Sequence, residues 1–196
     1  MSRYLKIMFS LSEENYLKSI FHLQTISGKG ISTSAIAKKL DTKPSSVTDM
    51  IKKLADKQVL VYKKYQGVSL TVLGRKEATN IVRKHRLWEV FLVDKMGFNW
   101  DEVHEIAEQL EHIESDQLVN KLDEYLGFPK TDPHGDPIPS KDGILPELAY
   151  SHLSDIKATK TCKLMGVAQD SAVFLQLLTK LNLNLGAKLA IKEINE

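Results

Sequence analysis

Two short amphipathic segments separated by a proline-marked break, and followed at once by a run of β-branched residues, constrain this chain more than any other feature. TSAIAKKL (33–40) has room for about two helical turns, with Ile36, Ala37 and Leu40 on one side. DTKP interrupts it. Pro44 suits the first turn of a new helix, where its missing N–H would have no partner in any case. That helix, SSVTDMIKKLADKQ, repeats Val47, Ile51 and Leu54 at a helical period. VLVYKKY, a Gln66–Gly67 turn and VSLTVLG then read as a hairpin. Upstream, LSEENYLKSIFHL (11–23) reads as a helix with Ser12 as N-cap and Glu13 and Glu14 in its first turn. Its inward side holds Tyr16, Leu17, Ile20, Phe21 and Leu23.

Helix, turn, helix and hairpin predict an N-terminal winged helix-turn-helix, and a chain that is mainly α with a small β wing. In that arrangement the start of the second helix of the pair enters the DNA major groove. The candidate contacts are Lys43, Ser45, Ser46, Thr48 and Asp49, with Lys52 and Lys53 nearer the backbone and Lys63, Lys64 and Tyr65 at the wing tip. Charge agrees with this. Residues 1–86 carry 17 Lys and Arg against 6 Asp and Glu, while residues 87–196 carry 10 against 19. The basic half suits a polyanion and the acidic half suits cations.

Beyond the hairpin, periodicity predicts a long helix from Thr71 to Met96, stopped by Gly97, and a second from Asn99 to Glu114 with Asn99 as N-cap. A third runs from Ser115 to Leu126 with Leu118, Val119, Leu122, Tyr125 and Leu126 as its stripe. On the second of these, His104, Glu108, Glu111 and His112 fall within an arc of about 120°. His85 and Glu89 repeat the i, i+4 spacing on the helix before it. This mixed N/O set, free of thiolates, suits Mn(II), Fe(II) or Zn(II). Residues 127–146 hold five of the six prolines and read as a linker or extended loop, in which a turn-forming role for His134 and Asp136 is favoured over a metal role. After it, KTCKLMGVA and AKLAIKEI read as strands around a helix, SAVFLQLLTKLNL, a small α+β module that ends before a sheet would close. The expected domains are 1–76 (DNA-binding), 77–140 (helical, metal-binding and dimerising) and 141–196 (linker and incomplete module).

PSSVTDMIKKL, YQGVSLTVLG, RKHRLWE, VHEIAEQLEH and PHGDPIP, in this order, make the chain resemble the DtxR/MntR family of metal-dependent transcriptional repressors, over roughly residues 11–140. The tail resembles the start of that family's FeoA-like β-barrel. The resemblance implies a homodimer that binds a double-stranded DNA operator when loaded with Mn(II) or Fe(II), Zn(II) substituting in vitro, and that represses metal-uptake genes. It implies that Glu108, Glu111 and His112 are the regulatory ligands and that His85, Glu89 and His104 form the ancillary site. Glu at 108, where iron sensors have Cys, points to the manganese-sensing branch. The first-helix ligand of the family falls on Asn15, through ENYLKSI, and Lys18 stands where some manganese sensors have a Glu. An altered site with one fully occupied ion is therefore expected.

Two other readings compete. A metal-independent winged-helix dimer would use the Glu and His residues only structurally. An enzyme is disfavoured: neither Glu89 nor Glu108 is followed three residues later by His, no HExxH occurs, and the single Cys162 has no evident base partner. One cysteine, no apolar run of signal-peptide length at the start and no 18-residue apolar stretch lead to the expectation of a cytoplasmic protein without a membrane or small-molecule partner.

Overall fold

The computed structural model describes residues 8–157 and 161–193. It divides into two compact units, one reaching from the N-terminal residues to Val82 and including Lys141–Ile144, the other formed by Arg83–Ser140 and the residues from Leu145 onward.

The first unit contains α1 (Leu11–Ser27), α2 (Thr33–Lys39), α3 (Pro44–Asp56), β1 (Leu60–Lys63), β2 (Gly67–Leu70) and the first turns of α4 (Val72–Met96). The N-cap of α1 is Ser10, not the expected Ser12. Ser10 has a Glu three residues on, so the two residues cap each other: Ser10 Oγ accepts from Glu13 N and Glu13 Oε2 accepts from Ser10 N at 2.7 Å. Ser12 has Asn15 at that spacing and cannot make the reciprocal bond. Glu13 also reaches the end of α3, where Lys57 Nζ lies 2.8 Å and Lys53 Nζ 3.3 Å from its Oε1. Burial pushes this carboxyl up, but hydrogen bonds from Lys57, the Ser10 N–H and Lys53 outweigh it and bring the pKa down to about 2. Val47, Ile51 and Leu54 are buried as their spacing requires, along with Leu17, Ile20, Phe21 and Ile36.

The wing pairs antiparallel, Leu60 with Leu70 and Lys63 with Gly67. Its turn is Lys64–Gln66 rather than the expected Gln66–Gly67, because Gly67 is already the first paired residue; Tyr65 takes the left-handed conformation at φ 65°. Ile31 adds a further rung by exchanging backbone hydrogen bonds with Val68 at 2.8 Å. Thr71 closes the wing onto α4, its hydroxyl donating to Gln58 O and accepting from Gly74 N.

The second unit holds the rest of α4, α5 (Val103–Leu110), α6 (Asp116–Tyr125), a 3₁₀ turn (Leu153–Asp155), β3 (Thr161–Lys163), α7 (Ala172–Lys180) and β4 (Lys188–Ala190). Leu87, Val90, Val119, Leu122 and Ile138 form its apolar cluster, edged by Trp88, Phe91 and Leu126. Arg83 ties α4 to α6 through Asp123 at 2.7 Å and Asn120 at 3.1 Å. The helix expected over 99–114 is half that length. Asn99 does not cap it; its N and Nδ2 both donate to Glu102 Oε2 in a preceding turn, and the helix ends with Glu111 as its C-cap.

Residues 127–146 are more structured than a linker. Thr131 bridges Pro137, Asp132 Oδ1 accepts from the N–H groups of His134 and Asp136, and Asp132, His134 and Ile138 are buried. The tail matches its expected pattern of strand, helix and strand, with β3 and β4 antiparallel. Lys160 and Ile194, placed in those strands by the sequence, lie outside the described residues. Among the described residues, no helix is long and apolar enough to cross a membrane.

Gly74 offers a test of the junction between wing and α4. Alanine is favoured over glycine in a helix by about 1 kcal/mol, yet a Cβ here would lie 1.9 Å from the backbone oxygen of Val59. The clash is with main chain and should win, so Gly74→Ala is expected to destabilise the unit by about 1–3 kcal/mol in chemical denaturation. Unchanged or increased stability would contradict this packing.

Candidate metal centre

The centre is built outward from α4. One helical turn separates His85 from Glu89, so both side chains leave the same face, and both are buried. His85 sits between two carboxylates: Nδ1 is 2.6 Å from Glu111 Oε2 and Nε2 is 3.0 Å from Glu89 Oε1. A carboxylate only accepts, so these two contacts require either a proton on each nitrogen or a cation in place of one. His104, on α5, packs edge-on against His85 with ring centroids 5.0 Å apart. Its Nδ1 lies 3.6 Å from Glu89 Oε1 and its Nε2 3.5 Å from Glu108 Oε1.

α5 ends sooner than the periodicity expects, yet Glu111, its C-cap, keeps helical backbone angles (φ −63°, ψ −19°) and its N–H still donates to Ala107 O at 2.8 Å. Glu111 is fully buried, and His112, just past the helix end, has Nε2 3.9 Å from Glu111 Oε1. Glu111 thus stays on the helical path one turn beyond Glu108, and the two carboxylates converge with His85. Ligand-capable atoms converge in three groups, each within 4.8 Å: His85, Glu89 and His104; His85, Glu108 and Glu111; and Glu89, Asp132 and His134. No thiolate belongs to any of them.

Of the third group, the sequence leaves a metal role open for His134 but does not single out Asp132. His134 does make the expected turn, but its ring also reaches the centre, with Nδ1 3.7 Å from Glu89 Oε2 and Nε2 2.7 Å from Trp100 O. The one available signal was Asp-Pro-His itself, two ligand-type side chains flanking a proline that stiffens the loop. Burial pushes Glu89 up, but hydrogen bonds from His104, His134 and His85 hold its carboxyl well below the usual range. Asp132 is pushed up to about 7 by burial and the Glu89 charge, against the pull of Arg86. Burial lowers His134, yet its contacts with Glu89, the Trp100 carbonyl and Asp132 raise it to about 9. Arg86 braces the loop, with Nε 3.4 Å from Asp132 and NH2 3.0 Å from Asp136, and it also donates to Pro137 O.

In the first unit, Asn15 holds a buried amide oxygen that accepts no hydrogen bond. The DNA-contact residues named from sequence are all exposed: Lys43, Ser45, Ser46, Thr48, Asp49, Lys52 and Lys53 on or beside α3, and Lys63, Lys64 and Tyr65 on the wing. Thr48 donates its hydroxyl back to Pro44 O, Lys53 is turned toward Glu13, and Lys64 lies over the Tyr65 ring with Nζ 5.0 Å from its centroid.

Comparison with known proteins supports this division of labour. Residues 8–68 match the N-terminal DNA-binding domain of the iron-dependent repressors, and residues 71–140 their metal-binding and dimerisation domain. The transcriptional regulator MntR of Oceanobacillus iheyensis is 38% identical over 122 residues, 62% of this chain and 81% of its own. The diphtheria toxin repressor of Corynebacterium jeikeium is 31% identical over 146 residues, 74% of this chain but only 60% of that longer protein. A manganese-dependent transcriptional repressor solved in complex with manganese superimposes with a TM-score of 0.83 at 35% identity, covering 92% of this chain and 83% of the other.

Without metal, the third group gives the second unit a pH signature. His134 near 9 against an ordinary 6.5, and Asp132 near 7 against 3.8, mean that the folded chain holds protons the unfolded chain has lost. Both contributions are therefore present at low pH and disappear as pH rises through the folded values. In chelator, the melting temperature of the second unit is expected to fall between pH 6.5 and 9, and His134→Gln should flatten that fall. A rise over the same range would refute the assignment.

Proposed function

Because the chain belongs to the iron-dependent repressor family, we propose that it is a metal-responsive DNA-binding repressor, acting as a cytoplasmic homodimer on a double-stranded operator. The observation that carries this reading is the convergence of buried carboxylates and imidazoles around Glu89 and Glu111 in the same chain as an exposed, basic winged helix. The residues fit a divalent ion. Glu89 and Glu111 are buried carboxylates whose neighbours are imidazoles, a donor set of hard oxygen and borderline nitrogen that suits Mn(II) or Fe(II) and admits Zn(II) in vitro. His85, Glu89, His104, Glu108, Glu111 and His112 would hold metal, with Asp132 and His134 added by the geometry. For Asn15 the proposal of a ligand role rests on the family resemblance alone.

The ion supplies positive charge where the chain has gathered negative charge. The protein's own residues supply the rest. Lys43, Lys52, Lys53, Lys63 and Lys64 provide phosphate contacts, and Ser45, Ser46, Thr48 and Asp49 face outward from the start of α3, the end that enters the groove in helix-turn-helix complexes. Expressed as function, this is regulation rather than catalysis, with metal-uptake genes as the proposed targets.

Fluorescence anisotropy of a labelled duplex from the protein's own upstream region tests the reading, titrated in Mn(II), anaerobic Fe(II), Zn(II) and chelator. Binding is expected with Mn(II) or Fe(II) and to be at least tenfold weaker in chelator; equal binding throughout would favour a metal-independent regulator. Glu108→Ala and His112→Ala are expected to remove the metal response while leaving the dimer intact in sedimentation. Lys63→Ala and Lys64→Ala should each weaken binding across all sequences and lower the salt slope by about 1.

A further inference from the structure

Several contacts that involve no metal-facing atom determine how His134 meets Glu89. A backbone carbonyl only accepts, so the 2.7 Å contact of His134 Nε2 with Trp100 O places a proton on Nε2. Nδ1 is then the nitrogen turned to Glu89. The Trp100 indole lies nearly parallel to the same imidazole, at 17° with centroids 6.2 Å apart. That indole is held from the C-terminal segment: its Nε1 donates to Thr179 Oγ1 on α7 at 2.9 Å, and the neighbouring Asp101 accepts from Gln176 Nε2, also on α7, at 2.9 Å.

The same segment grips the ligand loop a second time. Val167 N donates to His134 O at 2.9 Å. The two backbones pass so closely that a Cβ on Gly135 would lie 2.3 Å from Met165 O and from Gly166 Cα. His134 is thus fixed at its ring by Trp100 and at its carbonyl by Val167, and both holds lead to residues 165–180.

We propose that the C-terminal segment sets the metal affinity of the Glu89–Asp132–His134 group, with Trp100 as the positioning residue that links docking of α7 to the His134 ring. This rests on reading that group as a metal site. An imidazole with no outer partner can present either nitrogen; the Trp100 carbonyl removes that freedom and turns Nδ1 inward. Linkage makes the effect mutual, so metal at this group also strengthens the docking of α7.

Three variants of the full chain test it: His134→Ala, Thr179→Val, which removes the acceptor for the indole N–H, and Trp100→Phe, which keeps a ring and the backbone carbonyl but loses that N–H. Free Mn(II) is read by electron paramagnetic resonance during titration, and exchange of the α7 amides by mass spectrometry. His134→Ala is expected to abolish one class of Mn(II) site; if every class survives, the metal-site reading itself fails. Where that class is lost, Thr179→Val and Trp100→Phe should each weaken it about tenfold and leave the other classes unchanged. Mn(II) should slow exchange in α7 of the wild type and not of His134→Ala. Unchanged Mn(II) affinity in either Thr179→Val or Trp100→Phe, with the His134-dependent class present, would overturn the proposal.

Discussion

Glu89 is an ionised carboxylate in the interior of a helical unit, and the partners assigned to it are imidazoles. His85 and His104 approach one oxygen and His134 the other. Leaving such a charge uncompensated costs several kcal/mol, even after the surroundings relax. The two arginines close by in sequence are committed to structure: Arg83 to Asp123 and Asn120, Arg86 to Asp132, Asp136 and the loop carbonyl of Pro137. The contacts to Glu89 come from imidazoles, whose charge depends on protons and for which a divalent ion is the stronger substitute. Everything placed around Glu89, from the length of α5 to the fold of the proline-rich loop, delivers a nitrogen or an oxygen to that point.

The first unit solves the same problem in the opposite way. Glu13 is as deeply buried as Glu89, but Lys57 and Lys53 neutralise it and the Ser10 N–H completes its shell. Lysine side chains only donate, so this pair fixes the start of α1 to the end of α3 without calling on an ion. A chain that is meant to present a rigid helix to DNA gains from an unconditional lock there. One that is meant to respond to an ion gains from a conditional one at Glu89.

What could be read from the sequence follows from how local each signal was. Pro44 at the start of α3, the stripe of Val47, Ile51 and Leu54, and the β-branched run of the wing are settled by neighbours within a turn or two, and each formed as its pattern required. The i, i+4 pairs His85/Glu89 and His104/Glu108 were legible for the same reason. α5 is shorter than its periodicity suggested at both ends: the NWDE segment turns before helix begins and α5 stops at Leu110, with Glu111 as a C-cap that is still helical in its backbone and His112 just beyond it. A loop has no period, so the sequence favours a turn-forming role for His134 and does not single out Asp132: what brings them to Glu89 is the Arg86 brace and the backbone grip of Val167, long-range contacts with no local trace. The choice of Ser10 over Ser12 as cap turns on a single local feature, the reciprocal Glu three residues on.

The short α5 has an electrostatic consequence of its own. A helix ends with unpaired carbonyl groups and a partial negative charge, which favours a cation within its last turn. In α5 the residue at that end is Glu111, whose carboxylate adds a full charge to the partial one while being excluded from solvent. Lys84 donates to the carbonyl of Ile113, just past that end, at 3.4 Å. Had the helix continued to Glu114, as the periodicity suggested, its negative end would lie a turn beyond Glu111 and the carboxylate would stand on a neutral helix wall. Ending it at Leu110 superimposes the dipole and the carboxylate at one place, next to His85. The termination of α5 thus raises the local demand for positive charge more than any additional acidic side chain on its exposed face would, because exposed charges are screened and buried ones are not.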